Sequence, residues 1–221
     1  MILMVVVMIG PPGCGKGTQS RLLTQQFNIP AFSTGDILRA QAASDDALGH
    51  EVRRTLDAGA LVEDDLVNRV IAERLSGPEC ANGAILDGYP RTVAQAQYLD
   101  RLVNKLGLNP VEVLDFEIDQ ATLLSRVAAR RYCPICGRIY NLVTQPPADF
   151  DFCDDDGMIL IARRDDAADI IGERLRAFDC ETAPVLKHYR GRLHRIEAVK
   201  PTEDVFADID ARLRCVQQLA S

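Results

Sequence analysis

Residues 10–18 read Gly10-Pro11-Pro12-Gly13-Cys14-Gly15-Lys16-Gly17-Thr18 and fit the pattern G-x-x-x-x-G-K-[ST]. An apolar run, residues 1–9, leads directly into this stretch, and Leu22, Leu23 and Phe27 follow it at helical spacing. A buried strand therefore delivers the chain to a glycine-rich turn, and a helix carries it away. Gly10, Gly13, Gly15 and Gly17 lack a Cβ, so backbone N–H groups can converge on phosphate oxygens at a helix N-terminus. In this reading Lys16 reaches the terminal phosphates of a nucleotide and Thr18 offers its hydroxyl to Mg²⁺. Cys14 is most simply a small filler, although a helix N-terminus can lower a thiol pKa.

The 221-residue chain has room for one sizeable core with a small insertion or two. Its composition, 47% hydrophobic and 26% charged, is that of a globular domain. A formal net charge of −7 argues against broad binding to nucleic acid or anionic membrane. Residues 1–9 lack a basic flank and are too short to span a bilayer, so they read as a strand and the cytoplasm is the expected location. Seven cysteines in such a chain point to thiols and metal ligands, not to a disulfide framework.

Beyond the loop, periodicity predicts a helix over 16–26, a short strand over 29–32 and a helix opening at Ser33-Thr34-Gly35-Asp36, capped by Ser33 or Thr34. Residues 45–61 carry helical spacing at Leu48, Val52 and Leu56 and form a small helical insertion that breaks at Gly59. Leu66, Val67, Val70, Ile71 and Leu75 mark a helix returning to the core. Residues 84–87 form a strand ending in Asp87, which can order water around Mg²⁺ opposite the loop or serve as a cap. A helix over 94–106, a strand over 111–118 and a helix over 121–131 follow. The last of these puts Arg126 and Arg130 on one face, either a solvated basic face or a pair aimed into a ligand crevice. A strand over 193–199 and a helix over 203–219, striped by Val205, Ile209, Leu213 and Val216, close the chain; His188 and His194 read as surface or packing residues. Alternating strands and helices imply a parallel sheet covered on both faces.

One segment falls outside this pattern. Cys133-Pro134-Ile135-Cys136 is followed, after sixteen residues, by Cys153-Asp154-Asp155-Asp156, in a stretch rich in Pro, Asp and Gly. This is zinc-ribbon spacing with the last thiolate replaced by a carboxylate. Cys133, Cys136, Cys153 and Asp156 are the expected ligands, since only Asp156 repeats the two-residue gap; Asp154 and Asp155 are the alternatives. Four protein ligands leave no open position, so such a site is structural. Zinc would supply the segment's folding free energy, about 10 kcal/mol or more.

With the phosphate loop, Ser33-Thr34-Gly35-Asp36, Asp87-Gly88-Tyr89-Pro90-Arg91-Thr92, the arginine helix and Arg163-Arg164-Asp165-Asp166 in this order, the chain resembles the adenylate kinases over nearly its full length. It is most similar to the long-lid kind whose lid holds a structural zinc. The resemblance implies an α/β, P-loop NTPase-type three-layer fold with a five-stranded parallel sheet. The core would span residues 1–32, 63–129 and 168–221, an AMP-binding insertion 33–62, and a zinc-binding lid 130–167. It further implies reversible transfer of the γ-phosphoryl of MgATP to AMP to give two ADP, by a cytoplasmic monomer with no nucleic-acid or membrane partner. Position by position, Gly13, Cys14, Gly15, Lys16, Gly17 and Thr18 would hold the ATP phosphates, Arg126 would border the ATP adenine, and the Lys200 carbonyl would contact it. Thr34, Gly35, Arg39, Leu61, Val62, Gly88, Arg91 and Gln95 would surround AMP. Arg130, Arg163 and Arg174 would converge on phosphates with Lys16 and Arg91, Thr18 and Asp87 would serve Mg²⁺, and Asp165 and Asp166 would fasten the closed lid.

Two departures touch nucleotide preference: Glu63 stands where many relatives carry threonine, and Ile196-Glu197-Ala198-Val199-Lys200 lacks a common glycine. A GTP-dependent AMP kinase or another nucleoside monophosphate kinase is the alternative within the enzyme class. A guanine-reading switch would need Asn-Lys-x-Asp, and Asn104-Lys105-Leu106-Gly107 lacks the aspartate.

Overall fold

Strand β1 (Met4–Ile9) is buried at all six positions and forms the centre of the molecule in the computed structural model, which describes residues 4–108 and 111–219. Met1, Ile2 and Leu3, the start of the predicted first strand, lie outside the described residues, as do the last two residues of the predicted core. From β1 the loop runs into α1 (Lys16–Phe27), β2 (Ala31–Ser33), α2 (Thr34–Ala42) and α3 (Ala47–Asp57). Helix α4 (Asp64–Leu75), β3 (Gly83–Asp87), α5 (Val93–Lys105), β4 (Glu112–Glu117) and α6 (Gln120–Ala128) follow. A small hairpin, β5 (Arg130–Tyr132) with β6 (Ile139–Asn141), precedes α7 (Ala168–Ala177), α8 (Ala183–His188), β7 (Leu193–Glu197) and α9 (Thr202–Leu219).

The main sheet is five-stranded, in the order β2-β3-β1-β4-β7, and every pairing is parallel. Helices cover both faces, which is why β1 reads as a continuous apolar run. Val5, Val7 and Ile9 pack with Val67, Ile71 and Leu75 of α4 and Ala96, Leu99 and Val103 of α5. Met4, Val6 and Met8 pack the other way, with Leu23 of α1 and Val205, Ile209 and Leu213 of α9. Each fully buried side chain of this kind is worth about 1.5–3 kcal/mol relative to exposure, so one charge in β1 would offset several such contacts. Because β3 and β4 flank β1 on opposite sides, the strand order reverses at β1 and a crevice opens at its carboxyl end.

One expectation is corrected. Helix α6 stops at Ala128, so Arg130 and Arg131 lie on β5 and do not share a helical face with Arg126. The competing force is pairing across the hairpin, where Arg130 faces Asn141 and Arg131 faces Tyr140. Leu48 of α3 is exposed, leaving Val52 as that helix's buried anchor. His188 and His194 each meet a carboxylate, Asp100 at 2.7 Å and Glu112 at 2.8 Å. Element ends also move: the second strand is Ala31–Ser33, and the last ends at Glu197, where the chain turns.

Residues 168–188, interrupted by Gly172 and Pro184, carry no strong local pattern yet form α7 and α8. A wide turn joins them, in which the Ala183 N–H donates to the Phe178 carbonyl. Pro184 lies in the first turn of α8, where its missing N–H removes no helical bond. Among the described residues no helix is long and apolar enough to cross a membrane.

Candidate active site

The turn after β1 takes the shape its glycines allow. Gly13 and Gly15 have φ of 92° and 105°, and a Cβ on Gly13 would fall 2.4 Å from Val127 Cγ2. Gly15 caps α1 without a side chain, so the first N–H groups of that helix point into the crevice. Lys16 curls over the loop, its Nζ donating to the carbonyls of Gly10 at 2.7 Å and Pro11 at 3.0 Å. The Cys14 thiol is buried beneath; burial pushes its pKa up, against the opposing pull of Lys16. Asp87 ends β3 in register with Met8, which sets its carboxylate beside the loop. Burial pushes its pKa up too, while Lys16 and Arg91 pull it down.

A cavity of about 630 Å³ extends from this loop to Gly59 and Leu61. Its walls include Gly13, Cys14, Gly15, Lys16, Gly17, Thr18, Gly35, Arg39, Asp87, Gly88 and Arg91, and also Arg126, Arg130, Arg163, Arg174 and Lys200. A smaller adjoining recess is lined by Thr34, Val62 and Gln95, together with Gly35, Leu61 and Gly88. All the nucleotide-site residues predicted from sequence thus border one continuous region. At one end Arg126 donates to the Ala198 carbonyl at 2.7 Å, tying α6 to the turn before Lys200. At the other, Thr34 Oγ1 donates to the Gly88 carbonyl at 2.8 Å, tying α2 to the end of β3.

Between these ends the charges are concentrated. Asp165 accepts from Arg174 at 2.9 Å and Arg39 at 3.4 Å; Asp166 pairs with Arg130 and, at 3.3 Å, with Arg174. Arg163 reaches Asp36 at 3.6 Å, and Asp36 also pairs with Arg39 at 2.5 Å. The helices of residues 33–62 therefore touch the 163–166 segment directly across the cavity. Burial alone would raise the Asp165 and Asp36 carboxyls, but surrounding arginines outweigh it and hold both below the usual range. Burial, then the charges of Arg39 and Arg130, bring Arg163 down to about 10, and burial is the main cause of a similar value at Arg174. Arg163 has a side chain only 9% exposed, and its Nε finds no hydrogen-bond partner among the described residues. A buried cation with an orphaned donor is a site for an anion.

Cys133, Cys136 and Cys153 themselves do not line this cavity, although Tyr140, in its wall, reaches Cys153. The ligating atoms of Cys133, Cys136, Cys153 and Asp156 all lie within 4.8 Å of one another, with Cys136 Sγ 3.5 Å from Cys153 Sγ. Thiolates around a tetrahedral zinc sit about 3.8 Å apart, so the residues present fit that ion. Donors are aimed at the sulfurs as thiolates require: Ile135 N–H and Cys136 N–H at Cys133, and the Tyr140 hydroxyl at Cys153, 3.4 Å away. The two halves are built alike. Cys133 N–H donates to the Arg138 carbonyl and Gly137 N–H to Cys133, just as Cys153 N–H donates to Met158 and Gly157 N–H to Cys153. Asp156 therefore occupies the place that Cys136 has in the first turn.

Some functional-looking residues carried no signal of their own. Asp36 is read from sequence only as a favourable charge in a helical first turn, and Asn141, which donates to the Arg126 carbonyl at 3.1 Å, belongs to a hairpin that local periodicity does not reveal. Gly137 and Gly157, at the same offset in both turns, are a signal that was available.

The adenylate kinase family description matches residues 8–193. The chain is 44% identical over 204 residues to an adenylate kinase of Geobacter sulfurreducens, covering 91% of this chain and 94% of that protein. It is 41% identical over 206 residues to one from Anaeromyxobacter dehalogenans, covering 92% and 96%. One from Thermoanaerobacter pseudethanolicus is 40% identical over 212 residues, covering 95% and 98%.

Proposed function

The chain belongs to the adenylate kinase family and is a nucleoside monophosphate kinase, and from that premise we propose how its cleft moves the γ-phosphoryl group of MgATP to AMP, giving two ADP. The observation that carries the proposal is the arginine cluster lining one cavity, with Arg163 buried and its Nε without a hydrogen-bond partner among the described residues. Phosphoryl transfer asks little covalent chemistry of a protein and much positive charge around the group in flight. Lys16, Arg91, Arg130, Arg163 and Arg174 are the catalytic residues in this account. They attract the phosphates of both nucleotides and stabilise the charge that spreads over the transferring group.

The donor phosphates lie along the loop from Gly13 to Thr18, Cys14 included, on its backbone N–H groups, with Lys16 turning from its own carbonyls toward them. Arg126 and the Lys200 carbonyl border the donor base. The acceptor nucleotide lies against Thr34, Gly35, Arg39, Leu61, Val62, Gly88, Arg91 and Gln95, with Arg163 and Arg174 on its phosphate. Thr18 and Asp87 are the residues that would hold the water shell of the Mg²⁺ that accompanies ATP, an ion that would supply further positive charge at the phosphates. Transfer is direct in this account; the loop thiol, Cys14, is 2% exposed and burial pushes its pKa up, which disfavours a phosphoryl-thiol intermediate.

Residues 33–62 act as the AMP-binding insertion and residues 130–167 as a lid of the long, zinc-holding kind. Cys133, Cys136, Cys153 and Asp156 are the residues that would hold a structural zinc, which would supply the stability that two turns too small to bury a core of their own lack. Lid and insertion close on each other through the Arg39–Asp165 and Arg163–Asp36 pairs, excluding water that would otherwise accept the phosphoryl group. The protein acts in the cytoplasm as a monomer, without nucleic-acid or membrane partners; its net charge of −7 supports this by repelling polyanions. Initial rates over a grid of MgATP and AMP concentrations test direct transfer. Intersecting double-reciprocal lines are expected, and parallel lines would refute it.

A further inference from the structure

Asp64, which has no role in the account above, stands against Gln95 of the acceptor pocket. Gln95 lines the smaller recess, is 2% exposed, and has both ends of its amide engaged by protein groups. Its oxygen accepts from the Arg91 backbone N–H at 2.7 Å, and its nitrogen donates to Asp64 Oδ1 at 2.6 Å. The other carboxylate oxygen of Asp64 accepts from the Thr92 hydroxyl at 2.7 Å, and Thr92 Oγ1 accepts in turn from the Gln95 backbone N–H at 3.1 Å. The ring of contacts ties the start of α4 to the start of α5.

A carboxylate only accepts hydrogen bonds and a backbone N–H only donates. The partners themselves therefore dictate which end of the amide is oxygen. A flipped amide would set oxygen against the Asp64 carboxylate and nitrogen against the Arg91 N–H, breaking both bonds in a buried place. In the orientation that remains, Gln95 has one N–H and one oxygen lone pair left to offer. That pattern matches the acceptor N1 and donor N6 of a 6-aminopurine. A 6-oxopurine presents the reverse, a donor N1–H beside an acceptor O6, which only the flipped amide could read.

We infer that Asp64 is a positioning residue that fixes the orientation of the Gln95 amide and thereby makes the acceptor pocket select a 6-aminopurine over a 6-oxopurine nucleotide. This rests on the proposal that residues around Gln95 hold the acceptor base. The test compares AMP with inosine monophosphate, which has the same size and shape and differs in this edge alone. Asp64→Asn keeps the side-chain volume but supplies an amide that can turn to donate to the Gln95 oxygen, so the flipped Gln95 then costs only the Arg91 N–H bond instead of both.

With MgATP as donor, the ratio of kcat/KM for AMP to that for inosine monophosphate should fall about tenfold or more in Asp64→Asn. Thr92→Val removes a hydroxyl from the same carboxylate and the cap of α5, yet leaves both contacts to the Gln95 amide. It should lower Tm and leave the ratio within about twofold of wild type. A merely structural role for Asp64 predicts that both nucleotides lose equally, and an unchanged ratio in Asp64→Asn overturns the inference. So does a ratio that falls as far in Thr92→Val. Calorimetric titration of the wild-type protein separates the two levels: if AMP does not bind, the acceptor-site reading falls and the inference with it. If AMP binds and only the ratio refuses to move, the inference falls alone.

Discussion

Asp115 is a buried carboxylate on the central sheet, opposite Ile9 of β1 and Arg195 of β7 and 8% exposed. Burial, reinforced by the nearby Glu117 and only partly opposed by Arg195, pushes its pKa from 3.8 up to about 6. A raised pKa means that the folded chain holds this proton more tightly than the unfolded chain does. Between these two values the folded state binds more protons, so this group makes stability fall as pH rises and then level off above about 6. For a shift of about two units, the destabilisation is about 0.6 kcal/mol at about pH 4 and about 3 kcal/mol at about pH 8. Asp115→Asn replaces the carboxyl with a neutral group of the same shape and removes that difference. Urea unfolding of both proteins should show the variant gaining up to about 2.4 kcal/mol relative to wild type between those two pH values. A variant less stable than wild type at the higher pH, or a difference that does not vary with pH, would refute the argument.

Lys16→Ala removes the one lysine of the loop and should lower kcat by about 10² or more with little change in Tm; near-normal turnover would remove the loop from the chemistry. Elemental analysis of protein purified without added metal should find one zinc per chain, and Cys133→Ser should lose it along with several degrees of Tm. A metal-free preparation of unaltered stability would refute a structural zinc. Arg91→Ala should weaken AMP binding at least about tenfold more than ATP binding, measured by titration with each nucleotide alone. Equal losses would mean that the acceptor end of the cavity is misassigned.

Where local sequence and long-range structure demand the same thing, the chain can be read directly. Residues 4–9 are apolar without alternation because helices cover both faces of the sheet, and the glycines that follow have the backbone freedom the turn uses. The cysteine spacing likewise carries its geometry with it, since each turn is local. Arg130 shows the opposite case. Ala128, Ala129, Arg130 and Arg131 are all good helix formers, and only the partner strand Ile139–Asn141 diverts them, a contact that no window over residues 121–131 contains. The joint between α7 and α8 is hidden for another reason: its hydrogen bond from Ala183 to Phe178 spans five residues, which breaks the 3.6-residue period. Asp64 and Thr92 look like ordinary helix-start residues and gain meaning only when Gln95 is seen against them.

Nucleotide analysis of a single reaction tests the central claim most directly: purified protein with MgATP and each of AMP, GMP, UMP and CMP as acceptor, all products separated and quantified. The account predicts two ADP formed for every AMP consumed, at a rate well above that with the other three acceptors. No ADP from MgATP and AMP, or faster transfer to another nucleotide, would contradict it.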